Sequence, residues 1–273
     1  MTTKPTPAPT VRLLQAVPEF EDAVQVLCEA FNTDSPHDLI NTSLMKALAT
    51  SGNYVAGVFL ADELAGVLVA WRGRAGRLHS HIAGVHPKHQ GLGLGYELKM
   101  HERRWARARG LSGVEWTFDP LVRRNAYFNL GKLGARVRGF HPNFYGKLED
   151  GLNSGDDTDR LLVEWDIRPA TADPWVGEHS SGLLGPVALD PGSWNFEPPP
   201  EVTVASPDDS IRLVLTPYDI EGLRVERPEL VTRWRHAVRL GFSAALDAGF
   251  TVTGFTVDGC YVLRRPVRRT STS

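Results

Sequence analysis

Residues Val85–Gly110, VHPKHQGLGLGYELKMHERRWARARG, place three glycines, Gly91, Gly93 and Gly95, within five positions. The run before them, RLHSHIAGV, reads as a strand. The run after them puts Leu94, Leu98, His101, Trp105 and Ala108 on one helical face, with Lys99, Arg103 and Arg107 elsewhere, and Gly110 ends it. Glycine at a strand-to-helix junction lets the backbone come close to a ligand, and the unpaired N–H groups of a helix start attract anions. The junction is therefore a candidate anion site, and its neighbours decide the fold.

Upstream, VRLLQA reads as a short strand, and PEFEDAVQVLCEAF as a helix with Phe20, Val24, Leu27 and Phe31 on one stripe. PHDLINTSLMKALATSG predicts a second helix, with Pro36 near its start and Gly52 as its stop. Tyr54–Leu60 and Leu64–Trp71 are β-rich runs joined by the polar pair Asp62 and Glu63, as in an antiparallel hairpin. Downstream, LSGVEWTF predicts a strand, RRNAYFNLGKLG a short helix closed by Gly134, ARVRGF a strand, and Leu161–Ile167 another. Between Asp173 and Pro207 proline and glycine dominate without periodicity, which predicts a linker or wrap. The tail predicts a helix with Leu230, Trp234, Val238 and Gly241 on one side, then a hairpin turning at Asp258-Gly259. KLGARVRGF and DAGFTVTGF share the order helix end, glycine, strand, Gly-Phe, so the tail is expected to repeat the last unit of the first part.

A P-loop would end in Gly-Lys-Ser/Thr, which GLGLGYELK lacks. A dinucleotide fingerprint starting at Gly91 would need glycine at its sixth position, where Tyr96 stands. Gln90, Gly93 and Gly95 do satisfy Q/R-x-x-G-x-G/A, with GVHP just upstream. In these residues, and in the element order β-α-α-β-β-β-α-β-α-β, the sequence resembles the GNAT superfamily of acyl-CoA-dependent N-acyltransferases. Over Ser80–Gly146, SHIAGVHPKHQGLGLGYELK, WTFDPLVRRNAYFNLGKLGA and NFYG are similar to a bacterial branch of predicted GNAT acetyltransferases with an extended C-terminal region. Some relatives of that branch are associated with enzymes of N-acylamino acid metabolism.

The resemblance implies an α/β (α+β) fold: a mixed, mostly antiparallel sheet flanked by helices, with a C-terminal α-β-β extension. The expected layout is a leader over 1–10, an acyltransferase domain over 11–169, a linker over 170–200 and an extension over 201–273. It also implies acetyl-CoA, or another acyl-CoA such as succinyl-CoA, as the donor. Its pyrophosphate would lie on the backbone from Gln90 through Gly91, Leu92, Gly93, Leu94 and Gly95 to Tyr96. The preceding strand, at Ala83, Gly84 and Val85, would splay from its neighbour to admit the pantetheine arm and supply an oxyanion donor. A helix start, carrying roughly half a positive charge, suits such an anion.

Transfer from a thioester needs a neutral amine and a stabilised leaving thiolate. His81, on the strand before the loop, is the first candidate base, since an ordinary imidazole titrates at about 6.5. His79, on the same strand face, is the alternate. Asp119 is a further candidate to orient or deprotonate the amine, although Asp before Pro equally ends a strand. The superfamily's usual acidic Tyr slot holds Leu130. Tyr127, three residues earlier and about one helical turn away, and Tyr145 in NFYG are the alternatives. A thiol with a pKa of about 8.5 also leaves without a dedicated acid. The resemblance carries a pantetheine-binding Asn to Asn125, with Asn129 one turn on, and Arg123 and Arg124 are candidates to reach phosphate.

The chain has 273 residues and a formal net charge of -2, so composition points to no general nucleic-acid binder. Six Lys or Arg residues and no Asp or Glu fall between Pro120 and Leu148, which suits a polyanionic ligand. Cys28 and Cys260 are the only cysteines, far apart, implying neither a disulfide scaffold nor a zinc site. No run approaches a membrane span, and MTTKPTPAPT lacks a signal peptide's apolar core. The expectation is a cytoplasmic enzyme acting on a small-molecule amine, without nucleic acid, membrane or metal, with a homodimer left open. Peptide N-acetylation and a non-catalytic acyl-CoA-binding module are the competing functions.

Overall fold

A computed structural model describes residues 7–36, 39–146, 156–168, 178–184, 198, 202–206 and 208–266. The chain forms two compact units: of the described residues, 7–116 and 166–168 fall in the first and 117–146, 156–165 and those from 178 onward in the second. The expected layout divided the chain instead at the Pro/Gly-rich segment, most of which lies outside the described residues.

The first unit begins with β1 (Pro9–Leu13), α1 (Val17–Phe31) and α2 (Thr42–Thr50). Then come β2 (Tyr54–Leu60), β3 (Glu63–Arg72), β4 (Arg77–Val85), α3 (Leu94–Ala108) and the start of β5 (Gly113–Phe118). The strands follow the order β1-β2-β3-β4-β5, antiparallel except for the parallel pair β4–β5. β2 is buried along its whole length because it lies centrally, so it reads as an unbroken apolar run rather than an alternating one. Phe20, Ala23, Val26 and Leu27 of α1 pack with Met45 of α2 and with Val55, Val67 and Val69 of the sheet.

Two boundaries differ from expectation. Pro9 and Thr10 belong to β1, paired with Leu60 and Phe59, rather than to a leader. α2 starts only at Thr42, because Asn41 caps it by accepting the Leu44 N–H at 2.9 Å, and Pro36 lies outside.

The second unit holds α4 (Arg123–Ala126), which continues as a π turn over Tyr127–Lys132, and the antiparallel pair β6 (Arg136–His141) and β7 (Arg160–Asp166). It continues with α5 (Ser180–Leu184), β8 (Thr203–Ala205), β9 (Ile211–Leu215), α6 (Ile220–Glu226) and α7 (Pro228–Asp247). β10 (Thr251–Phe255) and β11 (Cys260–Arg264) end it. Its four-stranded antiparallel sheet has the order β10-β11-β9-β8, so the expected α-β-β extension also contains β8, β9 and a further helix.

Candidate active site

β4 carries the geometry. Against β3 its register shifts between the pairs Val69↔Ile82 and Ala70↔Ser80, so His81 is the extra residue of a β-bulge. Against β5 its pairing runs Arg77↔Gly113, Leu78↔Val114, His79↔Glu115 and stops. Ser80–Val85 go on with β3 as their recorded partner, and Trp116 is the first β5 residue past the last pair. The two parallel strands therefore fork at Ser80 and Trp116.

The chain leaves β4 through His86 and a short 3-10 turn, Pro87–His89, and Gln90 Nε2 donates back to the Val85 carbonyl at 3.2 Å. Gly91 and Gly93 then take φ of +81° and +78°, a region closed to most side chains. Gly95, the second residue of α3, has no such need: a Cβ there would meet Val85 Cγ2 at an ordinary 3.9 Å, and one on Gly91 or Gly93 would meet nothing within 4 Å. Leu94 is buried, while Leu92 and Tyr96 are exposed on either side. No hydrogen bond from the N–H groups of residues 91–95 is recorded among the described residues, whereas Tyr96 N and Glu97 N bond the Gly93 carbonyl. This is an open row of backbone donors at a helix start, the form an anion site takes.

Of the strand residues expected at the donor, Ala83 is exposed and Val85 half-buried beside Gly95. Gly84 faces the other way: a Cβ on it would meet Ala30 and Leu27 of α1 at 2.9 and 3.0 Å, so glycine there serves packing. His81 and His79 both lie against Trp71, with ring centroids 4.6 and 5.2 Å away and 6.1 Å between the imidazoles. His81 keeps an exposed face, yet burial against these rings, and then the neighbouring His79, push its pKa down to about 4. Burial also lowers His79, against the pull of Glu115.

A second polar group lies beneath the fork. Lys99 Nζ donates to Ser80 Oγ at 2.7 Å and to Glu102 Oε2 at 3.0 Å, and sits 4.0 Å from the centre of the Trp116 ring. Lys99 is 6% exposed and Glu102 0%. Helical periodicity put Lys99 on the outer face, but Leu94, Leu98, Glu102 and Trp105 share the buried stripe and Lys99 turns in to neutralise Glu102. The signal in sequence was Glu102 itself, one turn after Leu98 on the apolar face. Trp71, the cross-strand neighbour of His79, was likewise missed.

The remaining candidates belong to the second unit. Asp119 cannot serve as a ready base. Its carboxylate takes both terminal guanidinium nitrogens of Arg235, at 2.7 and 2.8 Å, Arg224 at 2.7 Å, and the Leu121 N–H at 2.9 Å. Burial alone would raise its pKa, but Arg235, Arg224 and Arg160 hold it well below the usual carboxylate range. Asn125 and Tyr127 are exposed and Asn129 is buried. The π turn bonds i to i+5, so three positions fall short of one turn, and Tyr127, 38% exposed, does not share a face with Leu130, 4% exposed. Tyr145 is exposed, its hydroxyl 3.2 Å from Thr117 Oγ1. Arg123 is held by the hydroxyl and carbonyl of Thr216, and Arg124 by Glu221, so both are engaged within their own unit.

Residues 19–131 match the model of the Acetyltransferase (GNAT) family. Over this stretch the chain is similar to GNAT acetyltransferases. The glycine loop and the forked strand both fall inside the matched region. Among solved structures, the chain is similar to the ribosomal-protein-S18-alanine N-acetyltransferase of Escherichia coli, at 14% identity and a TM-score of 0.49 over 61% of this chain and 98% of that one. It is also similar to yncA from Salmonella typhimurium, solved with its cofactor acetyl-CoA, at 17% identity and a TM-score of 0.49 over 61% and 98%. An N-acetyltransferase from Staphylococcus aureus Mu50 gives 12% and 0.49 over 59% and 99%. No curated protein matches the chain. Among the described residues, no group of three or more His, Cys, Asp or Glu is arranged to hold a metal, and no helix is long and apolar enough to cross a membrane. Burial raises both thiols, Cys28 and Cys260, the latter to about 12, so neither is a ready thiolate nucleophile.

Proposed function

We propose that the chain moves an acetyl group from coenzyme A to the primary amine of a small molecule, an amino acid or a similar compound, by direct attack of the amine on the thioester. The observation that carries this reading is the open backbone at residues 91–95. Gly95 is costly in a helix, roughly 0.5–1 kcal/mol relative to Ala, and no protein neighbour demands it, which is explained if an anion lies over it.

Bound acyl-CoA would supply an activated carbonyl. This chain's contribution is to hold the pyrophosphate on the N–H groups of Gly91–Gly95 and to offer the unpaired stretch of β4 to the arm. The His81 ring, held at about 4, is neutral at ordinary pH and keeps a proton poorly, so it relays the amine's proton outward rather than storing it.

Calorimetry tests the reading. Acetyl-CoA should bind in the micromolar range, about -8 kcal/mol, and Gly95→Val should weaken it at least thirtyfold while the melting temperature stays close to wild type. Unchanged affinity in the folded variant would remove the loop assignment.

A further inference from the structure

The fork between β4 and β5 has an occupied closed end, and no part of the proposed chemistry uses what occupies it. Ser80 and Trp116 are the first residues past the last β4–β5 pair, His79↔Glu115. Over that point lies the Lys99 ammonium, bonded to Ser80 Oγ at 2.7 Å on one strand and 4.0 Å from the Trp116 ring on the other. Glu102 anchors it from the next turn of α3 at 3.0 Å. Lys99 is a poor choice for simple filling, because a buried ammonium and carboxylate cost more desolvation than apolar side chains of the same volume. Its three contacts tie together α3, which begins at the glycine loop, and both arms of the fork.

We propose that Lys99, with Ser80 and Trp116, is the stop that sets the length of acyl group this protein accepts. The inference rests on the acyl-CoA reading above. With the pyrophosphate at residues 91–95, beside the open end of β4, an extended arm would run along Val85 toward Ser80, about 17 Å at the rise of a strand. The acyl group would then point at the closed end, and a two-carbon group would need the least room there. A longer apolar chain would have to displace an ammonium that already has its partners, or lie against it and strip it of them, and either is unfavourable. Lys99 is thus a specificity residue that works by exclusion, and no bond to it forms or breaks.

The test compares coenzyme A, acetyl-CoA and hexanoyl-CoA by calorimetry on the full chain. Wild type should bind hexanoyl-CoA at least tenfold more weakly than acetyl-CoA. Lys99→Ala combined with Glu102→Gln removes the stop without leaving a buried carboxylate unpaired, and it should bring hexanoyl-CoA to within about threefold of acetyl-CoA. Trp116→Ala leaves the ion pair alone and should relax discrimination in the same direction, so a failure of the double variant to fold does not shield the idea. Equal affinity of wild type for the two thioesters overturns the proposal, as does undiminished discrimination in either folded variant. If wild type binds neither thioester nor coenzyme A, the acyl-CoA reading itself has failed. Gly95-dependent binding without chain-length discrimination removes only the stop.

Discussion

His81 owes its environment to one extra residue in β4. The bulge breaks alternation, and the ring comes to rest on Trp71 beside His79. That contact turns an ordinary imidazole into one held at about 4. For stability the sign is clear: the folded value lies below the unfolded one, about 6.5, so the unfolded chain binds more protons between pH 6.5 and 4. The neutral ring's contribution is complete above about 6.5 and is lost as pH falls through that window. For activity, a relay through His81 requires the neutral ring, so its acid limb should fall near pH 4, not near 6.5. His81→Gln should lower kcat/KM by roughly 10²-fold with acetyl-CoA affinity unchanged. A variant with wild-type kcat/KM at pH 7 would reduce the residue to a packing partner of Trp71. Sequence shows that a histidine is present; the bulge and the cross-strand tryptophan that retune it are tertiary facts. Gly95 shows the complementary case. Gly95→Ala should raise the melting temperature slightly through helix propensity while weakening acetyl-CoA, a divergence that a purely structural glycine would not give.

Elements were legible where one period held. β2 and β4 fall on their expected limits, and Gly110 and Gly134 both take positive φ just after helices, at +69° each. Legibility failed where side chains far apart in sequence decide the outcome. Nothing near Asp119 announces that α6 and α7 will bring Arg224 and Arg235 to it, some hundred positions on. Asp156 adds a second carboxylate, 2.6 Å from Arg235, and Arg239 of α7 is held by Asp157 and Asp159. Removing one partner from such a buried set is far costlier than the set is stabilising, about 3–5 kcal/mol. Asp119→Ala should therefore lower stability by about that amount in urea unfolding followed by tryptophan fluorescence. A loss under 1 kcal/mol would mean water reaches the guanidinium groups after all. The pH dependence follows from the depressed Asp119 pKa: its contribution is present above the unfolded carboxyl value and is lost as pH falls through the lower folded value, so acid weakening from this residue is confined below about pH 4.

Two stretches of the second unit share an order of elements. α4 and its π turn lead through Gly134, at φ +69°, to β6, which shifts register between Val137 and Gly139 against antiparallel β7. α7 leads through Gly249, at φ +84°, to β10, which shifts between Val252 and Gly254 against antiparallel β11. Helix, left-handed glycine, bulged strand and returning strand recur in order, so KLGARVRGF and DAGFTVTGF mark the same construction. The two copies share one unit: Phe140 of β6 stacks on Phe242 of α7 at 5.0 Å, Tyr261 of β11 donates to the Pro120 carbonyl at 2.9 Å, and the arginines of α6 and α7 neutralise Asp119 and Asp159. A chain ending at residue 169 would keep the glycine motif yet strip Asp119 of Arg224 and Arg235 and Asp159 of Arg239, and bare the faces that Trp234 and Phe242 cover. Such a truncation should lose protection across residues 117–146 and 156–165, read as rapid amide exchange and protease cleavage there. Native-like exchange in that segment would show that the tail is a separate domain, and that the matched acetyltransferase region needs nothing after β7 to fold.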